Sequence, residues 1–284
     1  MKHSPVMMTI LAAVLIILPS SAQDYVGRVL VVPQSYRTIQ MALDHADSGD
    51  TVFVREGTYR ESITLREDVA LIGVSAERTI LIGRRDRPVV RGAQGAVVRH
   101  FTIQGGQMGI LSENTFMIIE DCVIRNNVGT GIHCVIALPV IRNNVIFRNG
   151  WSGIFCETTR SHRGHIANNV IAENRQSGLM LSGQSEVLVE NNVFFFNKQY
   201  GVFAAEGARR SRIINNSFFG NRNAGNESAQ IDQSNISVDP GYMAIGSNSG
   251  GYAFWNAVPE PLRGRGREGA NIGVVTRTFY SPDP

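Results

Sequence analysis

The chain has 284 residues, of which 43% are hydrophobic and 18% are charged, and this balance fits one globular domain with a sizeable core. The formal net charge is +3, and no segment resembles a nucleic-acid-binding module, so we expect no nucleic-acid partner. Three cysteines, an odd number, argue against a disulfide-rich scaffold.

The N-terminal segment is typical of a secretory signal peptide. Lys2 gives a short basic start, an apolar run covers residues 7–18, and the small residues Ser20 and Ala22 follow it. The run is too short to span a bilayer, and no second apolar run in the sequence approaches spanning length. We therefore expect cleavage after Ala22 and a secreted or periplasmic mature protein without a membrane span.

A repeat of 22 to 25 residues dominates the rest of the sequence. Each copy has a pair of polar positions, then an apolar residue, a single asparagine and a glycine. The pairs are Asp121-Cys122, Asn143-Asn144, Asn168-Asn169, Asn191-Asn192 and Asn215-Asn216. The single asparagines are Asn127, Asn149, Asn174, Asn197 and Asn221, and the glycines are Gly131, Gly153, Gly178, Gly201 and Gly225. Each unit is too short for two packed helices and is rich in Val, Ile and Phe, so it fits three short strands and three bends.

Stacked in parallel, such units form an all-β, single-stranded right-handed parallel β-helix, in which each strand pairs with its equivalents in the coils above and below. Asparagine suits the bends because it tolerates left-handed backbone angles. At a strand spacing of about 4.8 Å, stacked asparagine side chains can also bond along a column. The sequence therefore predicts two structural ladders, one of Asn127, Asn149, Asn174, Asn197 and Asn221 and one of Asn144, Asn169, Asn192 and Asn216. A leucine-rich repeat has an overlapping period, but these units contain almost no leucine.

With this repeat, the chain resembles the pectin-lyase-like superfamily of right-handed parallel β-helix proteins. Segments beginning at Tyr36, Gly49 and Gly57 are similar to the N-terminal part of such proteins, and those beginning at Asn235 and Gly269 are similar to their closing part. The resemblance implies an amphipathic helix that caps the solenoid, and an uncapped end would expose core and unpaired strand edges. The expected boundaries are a signal peptide at 1–22, an N-terminal cap at 23–50, the β-helix at 51–238 and an irregular C-terminal covering segment at 239–284.

Enzymes of this superfamily work in a groove on the outer face of one strand column, and the resemblance assigns that role to the glycine-led strand. The two-residue alternation of a strand predicts an outward column of Leu111, His133, Phe155, Met180 and Phe203, flanked by Glu113, Val135, Glu157, Ser182 and Ala205. This column is mostly apolar and contains no aspartate. The aspartate ligands of a calcium-dependent pectate lyase, the placed carboxylates of a polygalacturonase and the signature of a pectin methylesterase are therefore not found. We predict no cofactor.

A polar bend after Cys156 supplies the remaining catalytic candidates. Glu157 with His133 or His162 could act as acid and base, and Arg160 could hold an acidic sugar. We favour a solvated loop over this catalytic interpretation. His162 and His165 could bind a metal ion, but no third ligand lies nearby in the sequence, so no metal site is predicted.

Phe155, Met180 and Phe203 are the candidate ligand-binding residues, because they form an apolar stripe on three adjacent coils. Such a stripe marks a binding site or a surface that the chain itself covers. We favour covering by the tail, and an open platform for carbohydrate or a partner interface remain alternatives. The tail aromatic residues are Tyr242, Tyr252, Phe254, Trp255 and Phe279.

The cysteines are expected to be buried. Cys134 and Cys156 occupy the same inward position in adjacent coils, where a pair of thiols is favoured over a disulfide because in-register parallel strands give poor disulfide geometry. Cys122 replaces an asparagine of one ladder.

Three functions remain open. The first, which we favour, is a monomeric, non-catalytic exported scaffold that binds polysaccharide or other cell-envelope material. The second is a carbohydrate-active enzyme, a lyase or hydrolase, with an atypical site near Glu157 and His133. The third rests on resemblance to the periplasmic β-helix protein that assists copper-site maturation of nitrous oxide reductase, although the sequence lacks a dense cluster of His, Met and Cys.

Overall fold

A computed structural model describes residues 27–137, 139–158, 163–241 and 259–274, with Arg163 described for its main chain only. Within these residues the chain winds through about nine turns of a right-handed parallel β-helix with three parallel sheets. The N-terminal turn adds a strand to one sheet only, and every later turn contributes one strand to each sheet. The fold class predicted from the repeat is confirmed.

The three sheets are named A, B and C in the order in which each turn visits them. Sheet A contains β1 (Val29–Val32), β2 (Thr51–Val54), β5 (Ala70–Gly73), β8 (Val97–Arg99), β11 (Ile118–Glu120), β14 (Val140–Arg142), β17 (Arg163–Ala167), β20 (Glu186–Glu190) and β23 (Arg212–Ile214). Sheet B contains β3 (Gly57–Tyr59), β6 (Thr79–Ile82), β9 (Thr102–Gln104), β12 (Val123–Arg125), β15 (Val145–Phe147), β18 (Val170–Ala172), β21 (Val193–Phe195) and β24 (Ser217–Phe219). Sheet C contains β4 (Ile63–Thr64), β7 (Val90–Arg91), β10 (Ile110–Glu113), β13 (Ile132–Val135), β16 (Ile154–Thr158), β19 (Leu179–Gly183), β22 (Tyr200–Ala204) and β25 (Asn223–Gly225).

Equivalent residues of successive turns lie in register, so one inward position forms a continuous row through the core. On sheet B this row is Ile124, Ile146, Ile171, Phe194 and Phe218. The rings of Phe194 and Phe218 stack with centroids 5.0 Å apart. Because every turn repeats the same apolar positions, one core cluster extends from Leu30 to Ala229.

A short helix, α1 (Ile39–His45), packs on the N-terminal turns and buries Ile39, Ala42 and Leu43. The Thr38 hydroxyl accepts a hydrogen bond from the Met41 N–H. The Glu61 carboxylate accepts two more from the free N–H groups of the first turn, at 3.0 and 3.1 Å. The amphipathic helix expected in residues 23–50 is thus present. Sheet A begins before it, at β1, earlier than the boundary at residue 51 that the sequence suggested.

The asparagines form two hydrogen-bonded columns. In each column the side-chain amide donates to the Oδ1 of its equivalent in the next turn, at 2.9–3.1 Å. One column lies at the bend between sheets B and C and contains Asn127, Asn149, Asn174, Asn197 and Asn221. The other lies at the bend between sheets A and B and contains Asn144, Asn169, Asn192, Asn216 and also Asn235, which the repeat alignment did not include. Most members are fully buried, so the columns lie inside the solenoid and not on its surface.

The left-handed positions differ between the two bends. At the bend between sheets A and B they are the first members of the polar pairs: Asp121, Asn143, Asn168, Asn191 and Asn215. At the bend between sheets B and C, the residue before each column asparagine has positive φ: Asn126, Arg148, Glu173, Phe196 and Gly220. The expectation that asparagine itself holds every bend is therefore wrong for the second one. There the column asparagine accepts hydrogen bonds from the previous turn, and the residue before it adopts the strained left-handed backbone conformation.

The C-terminal segment 259–274 lies on the outer face of sheet B. Leu262, Ile272 and Val274 are buried against outward side chains of that sheet, among them Val145 and Val170. Main-chain contacts fix the segment. Arg267 N–H donates to Asn191 Oδ1 at 2.8 Å, and Asn168 Nδ2 donates to the carbonyls of Asn271 and Gly273 at 3.2 and 3.1 Å.

The three cysteines of the chain lie in the core. Cys134 and Cys156 face each other in register on β13 and β16, and all three cysteines are buried free thiols. The neighbouring Cys156 and burial raise the pKa of Cys134.

In the part of the chain that is described, no helix is long and apolar enough to cross a membrane.

Candidate functional site

The outer face of sheet C carries the column that the sequence singled out. Leu111, His133, Phe155, Met180 and Phe203 are in register on β10, β13, β16, β19 and β22. All five side chains are half-buried, so each offers one side to the exterior. This row, at one side chain per turn, is called the sheet C face below. Strand spacing sets the step along it at about 4.8 Å.

Aromatic contacts keep the sheet C face flat. The rings of His133 and Phe155 stack with centroids 4.8 Å apart and planes 10° apart. Tyr200 leans on Phe203 with a centroid distance of 5.6 Å. Flat rings held by neighbours lose little freedom when a ligand packs on them, which favours binding of a second flat, apolar surface.

Among the predicted catalytic residues that the structure describes, His133 and Glu157 form an acid–base pair. His133 Nε2 lies 3.4 Å from Glu157 Oε1, and the carboxylate is 41% exposed while the imidazole is 15% exposed. His133 Nε2 is buried and makes no hydrogen bond to any described residue. Glu157 therefore lies at the exterior with a histidine behind it, an arrangement that can move a proton between a bound molecule and the protein.

Toward the N-terminal end, the sheet C face ends in an ion pair. Arg91 is the register partner of Leu111 on β7, and its Nη1 lies 2.9 Å from Glu113 Oε2. The alternation of the strand predicted Glu113 on this face, whereas Arg91 lies outside the aligned repeats and was not predicted there. The pair neutralises the carboxylate that stands two turns from Glu157, so the two glutamates do not act as a matched pair.

Two predicted site residues, Arg160 and His162, lie outside the described residues, as do Tyr242, Tyr252, Phe254, Trp255 and Phe279. Their roles stay predictions. Residues 259–274, the longer described part of the tail, pack on sheet B and not on the sheet C face. Covering of Phe155, Met180 and Phe203 by the tail thus remains an expectation that rests on residues outside this description.

Among the described residues, no group of three or more His, Cys, Asp or Glu side chains lies close enough together to hold a metal ion. His165, one of the two histidines weighed as ligands, lies on sheet A. Its Nε2 is 3.0 Å from Glu190 Oε1. Since Glu190 also binds Arg267, His165 belongs to the contact that fixes the tail segment.

Comparison with known proteins identifies the architecture. The protein-family model described as a right-handed β-helix region matches residues 89–239 of this chain. Among solved structures, the chain is similar to the A-module of the mannuronan C-5 epimerase AlgE4 of Azotobacter vinelandii, at 20% identity over 66% of this chain and 68% of that chain, with a TM-score of 0.47. It is also similar to pectin methylesterase from carrot, at 13% identity over 79% of this chain and 92% of that chain, TM-score 0.40. Alginate lyase from Paenibacillus sp. str. FPU-7 matches at 13% identity over 75% of this chain and 98% of that chain, TM-score 0.35.

Proposed function

Since this chain belongs to the family of right-handed β-helix proteins, we propose that it is an exported scaffold that binds a polysaccharide along the sheet C face. The signal-peptide pattern of residues 1–22 supports export. In this role the rigid solenoid supplies a long, preformed surface, and the ligand is held without being cleaved.

The observation that carries this proposal is the in-register row of half-buried apolar and aromatic side chains. Sugar rings present apolar C–H faces that pack on aromatic rings, while their hydroxyls remain at the edges. A row that repeats at every turn offers equivalent contacts at equal steps, which suits a polymer whose units also repeat. Stacking of His133 on Phe155 fixes two of these contacts in advance.

The test compares two half-buried phenylalanines on different faces. Phe155→Ala removes the central ring of the sheet C face, and Phe219→Ala removes a ring from sheet B. We expect the wild-type protein to bind polysaccharides on a glycan array, and we expect Phe155→Ala, but not Phe219→Ala, to weaken that binding at least tenfold. Thermal melts of both variants control for folding. Equal loss of binding in the two variants, or none in either, contradicts the proposal.

A second candidate function is a polysaccharide lyase or hydrolase, and one observation favours it. The 3.4 Å approach of His133 to Glu157 makes a partly exposed proton-transfer pair on the same face as the apolar row. No observation in the described part of the chain favours the third alternative, copper-site maturation.

Turnover assays separate the two candidates. As a scaffold, the protein leaves acidic and neutral polysaccharides unchanged, with or without calcium, and Glu157→Gln has nothing to abolish. As an enzyme, the wild type releases unsaturated or reducing ends, and Glu157→Gln stops that release while binding persists. Cleavage that survives both Glu157→Gln and His133→Ala would place the chemistry on another face.

A further inference from the structure

Three basic residues form a column beside sheet C. Arg175, Lys198 and Arg222 lie on three consecutive turns, and each directly follows an asparagine of the column between sheets B and C. Because those asparagines bond to one another at 2.9 and 3.0 Å, the residues after them are stacked as well, at about one strand spacing. All three side chains are exposed.

These three cations stay unpaired, which sets them apart from other charges that meet between turns. Within the described residues, none of the three has a carboxylate within ion-pair distance. Elsewhere, opposite charges one turn apart face each other at 2.6–3.2 Å: Arg78 with Glu56, Arg91 with Glu113, Arg148 with Glu173, and Arg210 with Glu186. Stacking three like charges opposes folding, because each repels the next. The arrangement therefore points to a role in binding an external anion.

The surroundings of the column favour a sugar polymer as that anion. The next residue along each turn is Gln176, Gln199 or Asn223, and successive main chains there bond at 3.0 and 3.1 Å. This gives a row of amides between the cations and the strands of sheet C, and amides pair well with hydroxyl groups. The exposed ring of Trp151 occupies the equivalent position one turn earlier. A hollow of about 280 Å³, partly lined by Arg222 and Asn223, extends the column at its C-terminal end.

We propose that Arg175, Lys198 and Arg222 form a cationic edge that binds the anionic groups of an acidic polysaccharide lying along the solenoid. This rests on the proposed binding function of the sheet C face and names the class of polymer that it takes. One cation per turn matches a linear polymer with carboxylate or sulfate groups at regular intervals. Arginine and lysine bind both kinds of anion.

The experiment neutralises the edge and compares it with a matched variant. The edge variant carries Arg175→Gln, Lys198→Gln and Arg222→Gln. The control carries Arg37→Gln, Arg60→Gln and Arg85→Gln, which removes the same charge from exposed arginines that have no ion pair among the described residues and do not stack. The probes are a polyuronate, a sulfated polysaccharide, a neutral polysaccharide and a single-stranded oligonucleotide of matched charge, each at 50 and 150 mM salt.

We expect the edge variant to bind the anionic polysaccharides at least tenfold more weakly than the wild type and to lose most of the salt dependence of binding. The control variant should keep the wild-type affinity for the anionic polysaccharides and the wild-type salt dependence of binding. The polyuronate and sulfate arms show which anionic group is preferred. Unchanged affinity in the edge variant overturns the proposal, and so does oligonucleotide binding that is as tight and as dependent on the edge.

The same measurements separate this inference from the broader function. If the wild type binds neutral and acidic polysaccharides alike and the edge variant changes neither, the cationic edge is wrong while the sheet C face stands. If the wild type binds no polysaccharide, both fail. Melting temperatures guard against misfolding, and we expect the edge variant to melt no lower than the wild type because a repulsion has been removed.

Discussion

Asp121 is an aspartate in a place where the other turns have asparagine. It stacks in the column of Asn143 and accepts a hydrogen bond from that side chain. Burial, and then the charge of Glu120, raise the pKa of Asp121 to about 6. His100 Nε2 lies 3.8 Å from its other oxygen. A carboxylate thus occupies an amide position and is partly deprived of water.

Replacing this carboxylate should stabilise the protein at neutral and alkaline pH. Because the folded pKa lies above the value of 3.8 for an ordinary aspartate, the contribution of Asp121 to stability is fully present below pH 3.8 and is lost as the pH rises through about 6. We expect Asp121→Asn to raise the free energy of unfolding by roughly 1–3 kcal/mol at pH 8 and by less at pH 5. Urea denaturation of the wild type and of Asp121→Asn at pH 8 and pH 5 measures this difference in the free energy of unfolding. Asp68→Asn, an exposed aspartate with a similar positive φ, should show no such difference.

The buried amides of the asparagine column between sheets B and C give a second residue-scale prediction. Asn174 Oδ1 accepts from the Asn149 N–H and Nδ2, both at 3.1 Å, and its own Nδ2 donates to Asn197 Oδ1 at 2.9 Å. Asn174→Ala leaves the buried Asn149 N–H without its acceptor. It also removes one hydrogen bond each from Asn149 Nδ2 and Asn197 Oδ1, which keep their bonds to the Ile124 carbonyl and to the main-chain N–H of residue 174. We expect a loss of about 3 kcal/mol, and Asn174→Asp should cost at least as much because it also buries a charge. Chemical denaturation that finds either variant as stable as the exposed substitution Asn223→Ala contradicts the column as a source of stability.

At the scale of elements, the tail segment 259–274 is held by charge as well as by apolar contact. Arg267 Nη1 lies 3.1 Å from Glu190 Oε2, and His165 binds the other oxygen of that carboxylate. The hydrogen bond from His165, followed by that from Arg267, holds the pKa of Glu190 below its usual range. This stabilising effect is present above about pH 4.5 and is lost as the pH falls through the lower folded value.

Removal of this segment should uncover sheet B. A chain that ends after Pro240 lacks Leu262 and Ile272, so the outward valines of sheet B, such as Val145, Val170 and Val193, become exposed. We expect strong binding of a hydrophobic dye and a lower melting temperature. A chain that ends after Val274 keeps the docked segment and serves as the control. Equal dye binding by both truncated chains would contradict this role of the segment.

The repeat explains how far the sequence could predict these elements. Ile124, Ile146 and Ile171 recur at one position of each unit, and because a strand alternates with a period of two, that position fixes both register and face. The tail has no repeat, so nothing in its sequence indicates that Leu262 docks on sheet B. The left-handed conformations of Arg148, Glu173 and Phe196 were also hidden, since those residue types rarely adopt it and the stacked turns impose it.

Only part of the candidate site could be predicted from the sequence. Alternation placed Phe155, Met180 and Phe203 in one row, and the register of β16, β19 and β22 agrees with that placement. The approach of His133 to Glu157 depends on side-chain conformations that a sequence does not specify. The cationic edge is visible in the aligned units as the position that follows Asn174, Asn197 and Asn221. Its importance emerges only when four other arginines are seen to pair with glutamates one turn away.

At the scale of the whole molecule, the solenoid is a rigid rod with a different chemistry on each side. Sheet B is covered by the docked tail segment, and the sheet C face is bordered on one edge by Arg175, Lys198 and Arg222, which have no ion pair among the described residues. The core that supports these faces is continuous from Leu30 to Ala229. Because each turn contacts only its neighbours, a surface row keeps its spacing over several turns without further support.

Hydroxyl-radical footprinting of the protein with and without bound polysaccharide tests the central claim most directly, because it reports which side chains the ligand covers. The sheet C face contains readily oxidised Met180 between Phe155 and Phe203, and Phe219 on sheet B supplies an internal reference. The account predicts that ligand protects Met180, Phe155 and Phe203 from oxidation and leaves Phe219 unchanged. Protection confined to other faces, with these three residues oxidised as in the free protein, would contradict it.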